Sequence, residues 1–335
     1  MGPGESGVAV IVIVPDFLVD RLAPEIEKVA PGARTIGITA DGTPSESPEG
    51  SVAILRCFPV DRVPKAFGAP VIARLLREAP TLRWFQSHGA GVDGLLNAEI
   101  VGSDVILTNG ASLHTVPMAE TVMALILAAT KRLPEHAFDQ QARRWRRLPK
   151  RELRGSTVGV VGLGRIGTEV GRLCAAFGAR VIGLRRSPPD VLPPGVEQVV
   201  GLDELPAVLA ASDYVVLTLA LNPTSVGLIG RRELGQMKRT AILVNVARGD
   251  VVDEAALIDA LRERQIAYAC LDTFQTEPLP TDSPLYDLSN VFITPHNSAS
   301  SPHMEERVIE LFLENLGRLV RGESLLNVVD KRRGY

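Results

Sequence analysis

The chain has 335 residues, and its 36 Lys and Arg against 39 Asp and Glu leave a formal net charge of −3. That length exceeds what one hydrophobic core usually supports and predicts two domains. A composition 45% hydrophobic and 22% charged excludes a largely disordered chain, and the near-balanced charge gives no global basic field for nucleic acid or an anionic membrane.

Taken in order, the first apolar run, residues 8–14, is too short to span a bilayer and reads as a buried first strand. No basic segment precedes it, so the reading is a cytoplasmic protein with no membrane partner. Further β-branched runs at 35–38, 52–55, 82–86 and 105–108 alternate with helical patterns at 22–29 and 72–78. The Pro-, Ser- and Glu-rich stretch 41–50 reads as an exposed loop. Nearly continuous apolar strands separated by helices predict a parallel sheet covered on both faces. A long apolar helix follows at 118–130, just after Pro117, and leads into Arg143-Arg144-Trp145-Arg146-Arg147, read either as a solvated basic face around a buried aromatic or as a place where Trp145 meets a partner subunit or a substrate cleft.

A second strand–helix series runs through 157–161, 180–184, 214–219, 242–246, 268–272 and 291–294, and an amphipathic helix covers 304–320. Cys57, Cys174 and Cys270 are odd in number and far apart, which suits buried thiols in a reducing compartment and not a disulfide framework or a zinc site. No metal is expected.

The strongest local motif is Gly162-Leu163-Gly164-Arg165-Ile166-Gly167, which follows an apolar strand and opens a helical stretch at 168–177. Gly162 permits the tight turn, Gly164 lets the main chain approach a pyrophosphate, and Gly167 lets helix and strand pack closely. The helix N-terminus adds N–H groups and partial positive charge for the phosphates, so Gly162, Gly164, Arg165, Ile166 and Gly167 are cofactor-binding candidates. An NAD site normally offers Asp or Glu about 20 residues on; here the chain has Arg185, Arg186 and Ser187. Two guanidiniums can hold a 2′-phosphate, which favours NADP over NAD, although a solvated turn would carry the same residues.

Three polar segments end later strands: Asn245-Val246-Ala247-Arg248-Gly249, then Asp272-Thr273 continuing to Thr276-Glu277-Pro278, then Pro295-His296-Asn297-Ser298. Ligands of open α/β sheets bind beyond the carboxyl ends of strands, so these segments can converge. With the glycine loop and Gly89-Ala90-Gly91-Val92-Asp93, they occur in the order of the D-isomer-specific 2-hydroxyacid dehydrogenases, which the chain resembles over essentially its whole length, in the manner of the glyoxylate/hydroxypyruvate reductase-like group.

The resemblance implies two doubly wound parallel-sheet α/β domains, a Rossmann-type cofactor domain at 109–299 and a flavodoxin-like substrate domain made of 1–108 and 300–335. It implies a catalytic cleft between them and a homodimer, for which the helix at 118–130 is an interface candidate; core packing is the other reading of that helix. In the implied reaction His296 is the general acid in reduction and the base in oxidation, Glu277 fixes its tautomer, and Arg248 binds the carboxylate or polarises the 2-keto oxygen. A Glu at 277 fits proton transfer, since formate dehydrogenases of similar fold pair their histidine with Gln.

Main-chain N–H groups of Ala90 and Gly91 would bind the substrate carboxylate, and Arg56 would face the substrate or lie on the surface. Leu219, Ala220, Val246, Ala247, Asp272 and Ser298 would contact the cofactor, Asp272 through the nicotinamide carboxamide. Thr218-Leu219-Ala220 stands where the family usually has His-Leu-Pro, which alters the local loop. His88 and His114 match no motif and read as structural. The implied activity is hydride transfer between NADP(H), or NAD(H), and a small 2-keto or D-2-hydroxy acid such as glyoxylate or hydroxypyruvate. A nucleotide-sensing corepressor on the same scaffold and a dehydrogenase of another small anion such as phosphite stay open.

Overall fold

The computed structural model describes residues 10–57 and 67–334. The first two residues of the strand expected at 8–14 lie outside the described residues, as does the opening segment before them. The chain divides into two compact units, one made of 1–113 with 301–335 and the other of 114–300.

In the first unit, strands β1 (Ile11–Pro15), β2 (Arg34–Ile38), β3 (Ser51–Arg56), β4 (Trp84–Ser87) and β5 (Ile106–Thr108) form one parallel sheet in the order β2-β1-β3-β4-β5. This is the flavodoxin-like order, which reverses direction between β1 and β3. All five residues of β1 are buried, because helices cover both of its faces. One layer contains α1 (Val19–Val29) and the long C-terminal helix of the unit; α2 (Ala69–Glu78) and α3 (Ala98–Gly102) belong to the other cluster. Trp84 is stacked on Phe312 of the C-terminal helix at 4.9 Å between ring centroids, and its indole N–H donates to Thr108 Oγ1. The apolar ring of Trp84 and its polar N–H are thereby both satisfied.

The second unit begins with α4 (Thr115–Lys131) and α5 (Leu133–Gln141). Helix α4 starts two residues before Pro117; a proline fits within the first turn because that N–H has no intrahelical acceptor. Its sheet contains β6 (Thr157–Val161), β7 (Arg180–Leu184), β8 (Gln198–Val200), β9 (Tyr214–Leu217), β10 (Ile242–Asn245), β11 (Tyr268–Leu271) and β12 (Val291–Ile293). The order is β12-β11-β10-β9-β6-β7-β8, every pair parallel, with helices α6 (Arg165–Ala176), α7 (Leu205–Ala211), α8 (Arg231–Gln236) and α9 (Glu254–Arg262) between strands. The order reverses between β6 and β9, which opens a crevice at their carboxyl ends.

Both sheets therefore have the parallel, doubly wound architecture expected of the sequence. The last helix, α10 (Met304–Arg321), ends at Gly322 in the left-handed region, where glycine carries no Cβ penalty.

Two expectations are corrected. Met118, Ala119, Val122, Met123, Leu125 and Ile126 of α4 are buried against α6 and the sheet of their own unit, so the apolar face of α4 is core and is no free interface. Trp145 is 96% exposed, not buried: the arginines around it fold onto the buried carboxylate of Asp139, which accepts from Arg144 and Arg146, and the ring is left outward. Cys57, Cys174 and Cys270 are free and buried, and burial pushes the Cys57 and Cys174 thiols up to about 12. Among the described residues no helix is long and apolar enough to cross a membrane, and no group of His, Cys, Asp and Glu could hold a metal ion.

Candidate active site

The glycine loop sits at the reversal point of the second sheet. Gly162 has φ +100°, and a Cβ there would lie 2.6 Å from the Leu219 nitrogen in the loop after β9. Gly167 passes so close to Gly162 that a Cβ would meet its carbonyl oxygen at 2.4 Å. Gly164 differs: a Cβ would meet no protein atom within 4 Å. Packing thus requires glycine at 162 and 167, whereas the space at 164 faces an opening where a ligand can approach the main chain. Gly164 is the N-cap of α6, which begins at Arg165 and not at 168, so the first-turn N–H groups of Arg165, Ile166 and Gly167 belong to this anion-favouring end. These residues fit a dinucleotide pyrophosphate.

Thr218 replaces the usual histidine by donating its hydroxyl to Gly162 O at 2.8 Å, which ties the β9 loop to the glycine turn. Ala220 O accepts from Ser225 Oγ at 2.9 Å and closes that loop. Past β7, Arg185, Arg186 and Ser187 are all exposed, and Arg186 donates to Thr224 Oγ1 at 3.1 Å.

Three strand ends build the ionisable part of the site. After β10 the chain turns through Val246 and Ala247, held by the Asn245 side chain: its Oδ1 accepts from the Ala247 N–H at 3.0 Å and its Nδ2 donates to the Arg248 carbonyl at 3.0 Å. Arg248 donates through Nη1 to the Ala247 carbonyl at 2.8 Å, so one guanidinium nitrogen is anchored at home. Gly249 then runs against the segment after β11, and a Cβ at that point would sit 1.9 Å from the Phe274 carbonyl carbon. Only glycine allows this approach, which brings Arg248 within electrostatic reach of Glu277.

Glu277 Oε2 lies 2.7 Å from His296 Nδ1, and its Oε1 accepts from the Phe274 N–H at 3.0 Å. An ionised carboxylate only accepts, which assigns the proton to Nδ1 and leaves Nε2 as the outward nitrogen of the ring. Burial raises the Glu277 carboxyl, but the bonds from His296 and the Phe274 N–H, with the charges of His296 and Arg248, outweigh it and hold the group below the ordinary glutamate value. The His296 side chain is 43% exposed, accessible to a reactant while tethered on its inner edge.

His296 itself occupies the left-handed region at φ +50°, an unfavourable conformation for a residue with a Cβ. Asp272, fully buried at the end of β11, overcomes this cost. Its Oδ1 accepts from Thr294 Oγ1 at 2.6 Å and the Asn297 N–H at 3.1 Å, and its Oδ2 from the Ser298 N–H at 3.1 Å. Ser298 is further fixed by Thr121 Oγ1, which donates to its carbonyl at 3.0 Å. Sequence reasoning had singled out Asp272 for a ligand and missed this role in holding the histidine loop. Asn245 and Thr294 were missed as positioning residues, although both lie in the polar segments that end their strands.

In the first unit, Ala90 and Gly91 are half-buried in the loop after β4, and among the described residues their N–H groups donate to no protein acceptor. Arg56, at the end of β3, donates through Nε to the Phe67 carbonyl at 2.9 Å and lies 5.7 Å from that ring, so the side chain packs locally. His88 Nδ1 lies 3.1 Å from the Arg56 carbonyl, and His114 is buried.

A glycine loop that fits a pyrophosphate, with a tethered imidazole and a guanidinium at later strand ends of the same sheet, is what a nicotinamide-dependent oxidoreductase requires. The family model for the NAD binding domain of D-isomer specific 2-hydroxyacid dehydrogenases matches residues 123–298, and the chain belongs to that family. The D-3-phosphoglycerate dehydrogenase of Methanocaldococcus jannaschii is 32% identical over 95% of this chain, which spans only 59% of that relative's length. The glyoxylate reductase of Korarchaeum cryptofilum is 34% identical, with 85% of this chain and 87% of the relative covered. Among solved structures, a D-isomer specific 2-hydroxyacid dehydrogenase from Xanthobacter autotrophicus Py2 in complex with NADPH and MES is 32% identical at a TM-score of 0.80, covering 98% and 99% of the two chains. An NADPH-dependent glyoxylate/hydroxypyruvate reductase from Sinorhizobium meliloti, in complex with NADP and sulfate, is 27% identical at 0.79, covering 97% and 100%.

Proposed function

We propose that the protein reduces a small 2-keto acid to the D-2-hydroxy acid with NADPH, glyoxylate and hydroxypyruvate being the first substrates to test. The observation that carries this reading is the His296–Glu277 hydrogen bond, 2.7 Å long, with Arg248 acting on the same carboxylate. When bound, the nicotinamide supplies the hydride. His296 gives the proton from Nε2 to the carbonyl oxygen and takes it back in oxidation, while Glu277 keeps the ring oriented. Arg248 stabilises the negative charge that develops on that oxygen, or pairs with the substrate carboxylate.

Ala90 and Gly91 bind the carboxylate through their main-chain N–H groups, and Arg56 takes a second polar group of the substrate if its side chain swings from Phe67. Gly162, Gly164, Arg165, Ile166 and Gly167 hold the pyrophosphate. Leu219, Ala220, Val246 and Ala247 line the nucleotide crevice, and Ser298 and Asp272 lie at its nicotinamide end. Asp272 is fully buried and already accepts three protein bonds, so it supports that end through the loop that carries His296 and not by the direct carboxamide bond that the resemblance implied. Arg185, Arg186 and Ser187 take the 2′-phosphate, which favours NADP; the Xanthobacter and Sinorhizobium relatives bound NADPH and NADP.

The protein works as a homodimer in the cytoplasm on this reading. Exposed Leu133, Phe138 and Trp145 support placing the subunit contact on the α5 side instead of on α4, and the buried thiols suit a reducing compartment.

The test is loss of reduced-cofactor absorbance with glyoxylate, hydroxypyruvate, pyruvate and bulkier 2-keto acids, run with NADPH and NADH. Turnover of glyoxylate or hydroxypyruvate with a lower KM for NADPH is expected. Silence with every acid despite tight cofactor binding would sink the reductase reading in favour of a nucleotide sensor. A clear preference for NADH would remove the role given to Arg185 and Arg186.

A further inference from the structure

The C-terminal tail beyond α10 makes a set of hydrogen bonds that the chemistry of the second unit does not use. It crosses the open edge of the first sheet: Val328 bridges Thr108 in antiparallel fashion and the Val329 N–H donates to the Leu107 carbonyl at 2.9 Å. Lys331 Nζ caps the approach to β5 by donating to the carbonyls of Ser103 and Val105. At its other end the tail is fixed by Asn315, fully buried, whose side chain exchanges bonds with the Leu326 N–H and carbonyl and donates to Gln86 Oε1 in β4. A strand edge could be covered more simply, with main-chain bonds alone.

What singles the tail out is Asn327. It stands in the left-handed region at φ +56°, its carbonyl accepts from the Asn109 N–H at 3.1 Å, and its Nδ2 donates to the Asn109 carbonyl at 3.2 Å and to Ser112 Oγ at 2.7 Å. Asn109 is thus held on both sides of its peptide. Its own amide in turn donates to the Ala90 carbonyl at 2.9 Å, and the next residue, Gly110, donates its N–H to the Gly89 carbonyl at 2.9 Å. Two consecutive carbonyls of the loop 89–91 are therefore tied to a segment that the tail clamps. Binding those carbonyls fixes the peptide planes of the loop, and so the directions of the N–H groups of Ala90 and Gly91.

We propose that the tail is a positioning strap: through Asn327 and Asn109 it aims the main-chain N–H groups of Ala90 and Gly91 at the substrate carboxylate, so that Asn327 and Asn109 are positioning residues for substrate binding. This inference rests on the reading that Ala90 and Gly91 bind that carboxylate. Main-chain donors have no rotamer to adjust, so a small rotation of either peptide costs substrate affinity while the chemistry at His296 is unaffected.

Asn327→Gly in the full chain is the test, because glycine keeps φ +56° accessible and the main-chain bonds in place while deleting the amide. The expected result is a KM for glyoxylate raised about tenfold with kcat, cofactor Kd and Tm nearly unchanged, since an interaction that acts on ground state and transition state alike appears in KM. Asn109→Ser, which removes the donor to Ala90 directly, should raise KM at least as much and stands in if the first variant does not fold. An unchanged KM, or a KM that moves together with cofactor Kd and Tm, overturns the strap and leaves the tail as edge cover. The underlying reading is checked separately in the unmutated holoprotein by titrating oxamate and following the amide NMR signals of Ala90 and Gly91. No shift there overturns both ideas; a shift together with an unchanged KM in the variants overturns the strap alone.

Discussion

The two units present polar groups at their strand ends in opposite ways. At the strand ends of the second unit the working atoms are on side chains, Arg248, Glu277 and His296, and the main chain is bent to suit them: Gly249 pressed against Phe274, His296 held at φ +50° by a buried carboxylate. In the first unit the Ala90 and Gly91 N–H groups donate to no acceptor among the described residues, and the Asn109 amide donates to the Ala90 carbonyl. Charge that must change during a reaction needs titratable side chains, whereas a carboxylate that keeps its charge can be met by fixed dipoles. Mutation should consequently strike the second unit through kcat and the first through KM.

The largest departure is expected at His296. His296→Ala should lower kcat by about 10²-fold or more, with cofactor Kd and Tm little changed; stopped-flow and steady-state rates check this, and unchanged turnover would break the comparison outright. Next comes the main chain that serves those side chains. Gly249→Ala must displace the Phe274 backbone, so Tm and turnover should both fall steeply. Gly164→Ala meets no protein atom, so Tm should hold while cofactor affinity drops about tenfold or more, which titration of cofactor fluorescence reads out.

Asp272→Asn comes third. It turns an acceptor that faces three donors into a group with its own N–H, which should cost about 1–3 kcal/mol of stability in urea melts and lower kcat without a matching change in substrate KM.

The smallest effect concerns acid. A carboxyl held below its ordinary value stabilises the fold fully above the unfolded value and loses that contribution as pH falls through the folded one. Wild type and Glu277→Gln should therefore differ in stability near neutrality and converge as pH falls below the ordinary glutamate range, measured by denaturant melts along a pH series. A gap that widened on acidification would mean that the carboxyl is not held low.

Most strand positions and the glycine loop were legible in the sequence because both follow from short-range patterns, apolar runs and small residues at fixed spacing, whereas the order of the strands leaves no such pattern. The polar segments that end strands and carry Arg248, Glu277 and His296 were also visible, while the roles of these residues came from the resemblance alone. Helix α6 begins three residues earlier than the pattern suggested, since Arg165, Ile166 and Gly167 give a first turn no apolar periodicity. The short strand β8 was missed, as its Gln198–Val200 run is too brief to stand out. The choice between core and interface for α4 was open in the sequence, and exposure of Trp145 was not legible: an apolar helix reads the same against its own sheet or a partner, and an arginine cluster hides the buried Asp139 that organises it. Hydrogen bonds between residues more than 200 positions apart, such as Asn327 to Asn109, leave no local trace.

The placement of aromatic rings has a spectroscopic consequence. The chain contains two tryptophans, one per unit: Trp84 is wholly enclosed and stacked on Phe312, and Trp145 is almost wholly in water. Intrinsic emission should accordingly be the sum of a short-wavelength and a long-wavelength band, each reporting one unit. With Trp84→Phe in hand, the remaining red-shifted signal becomes a built-in sensor of whatever approaches the arginine arm, and quenching by iodide should reach it while sparing its enclosed counterpart.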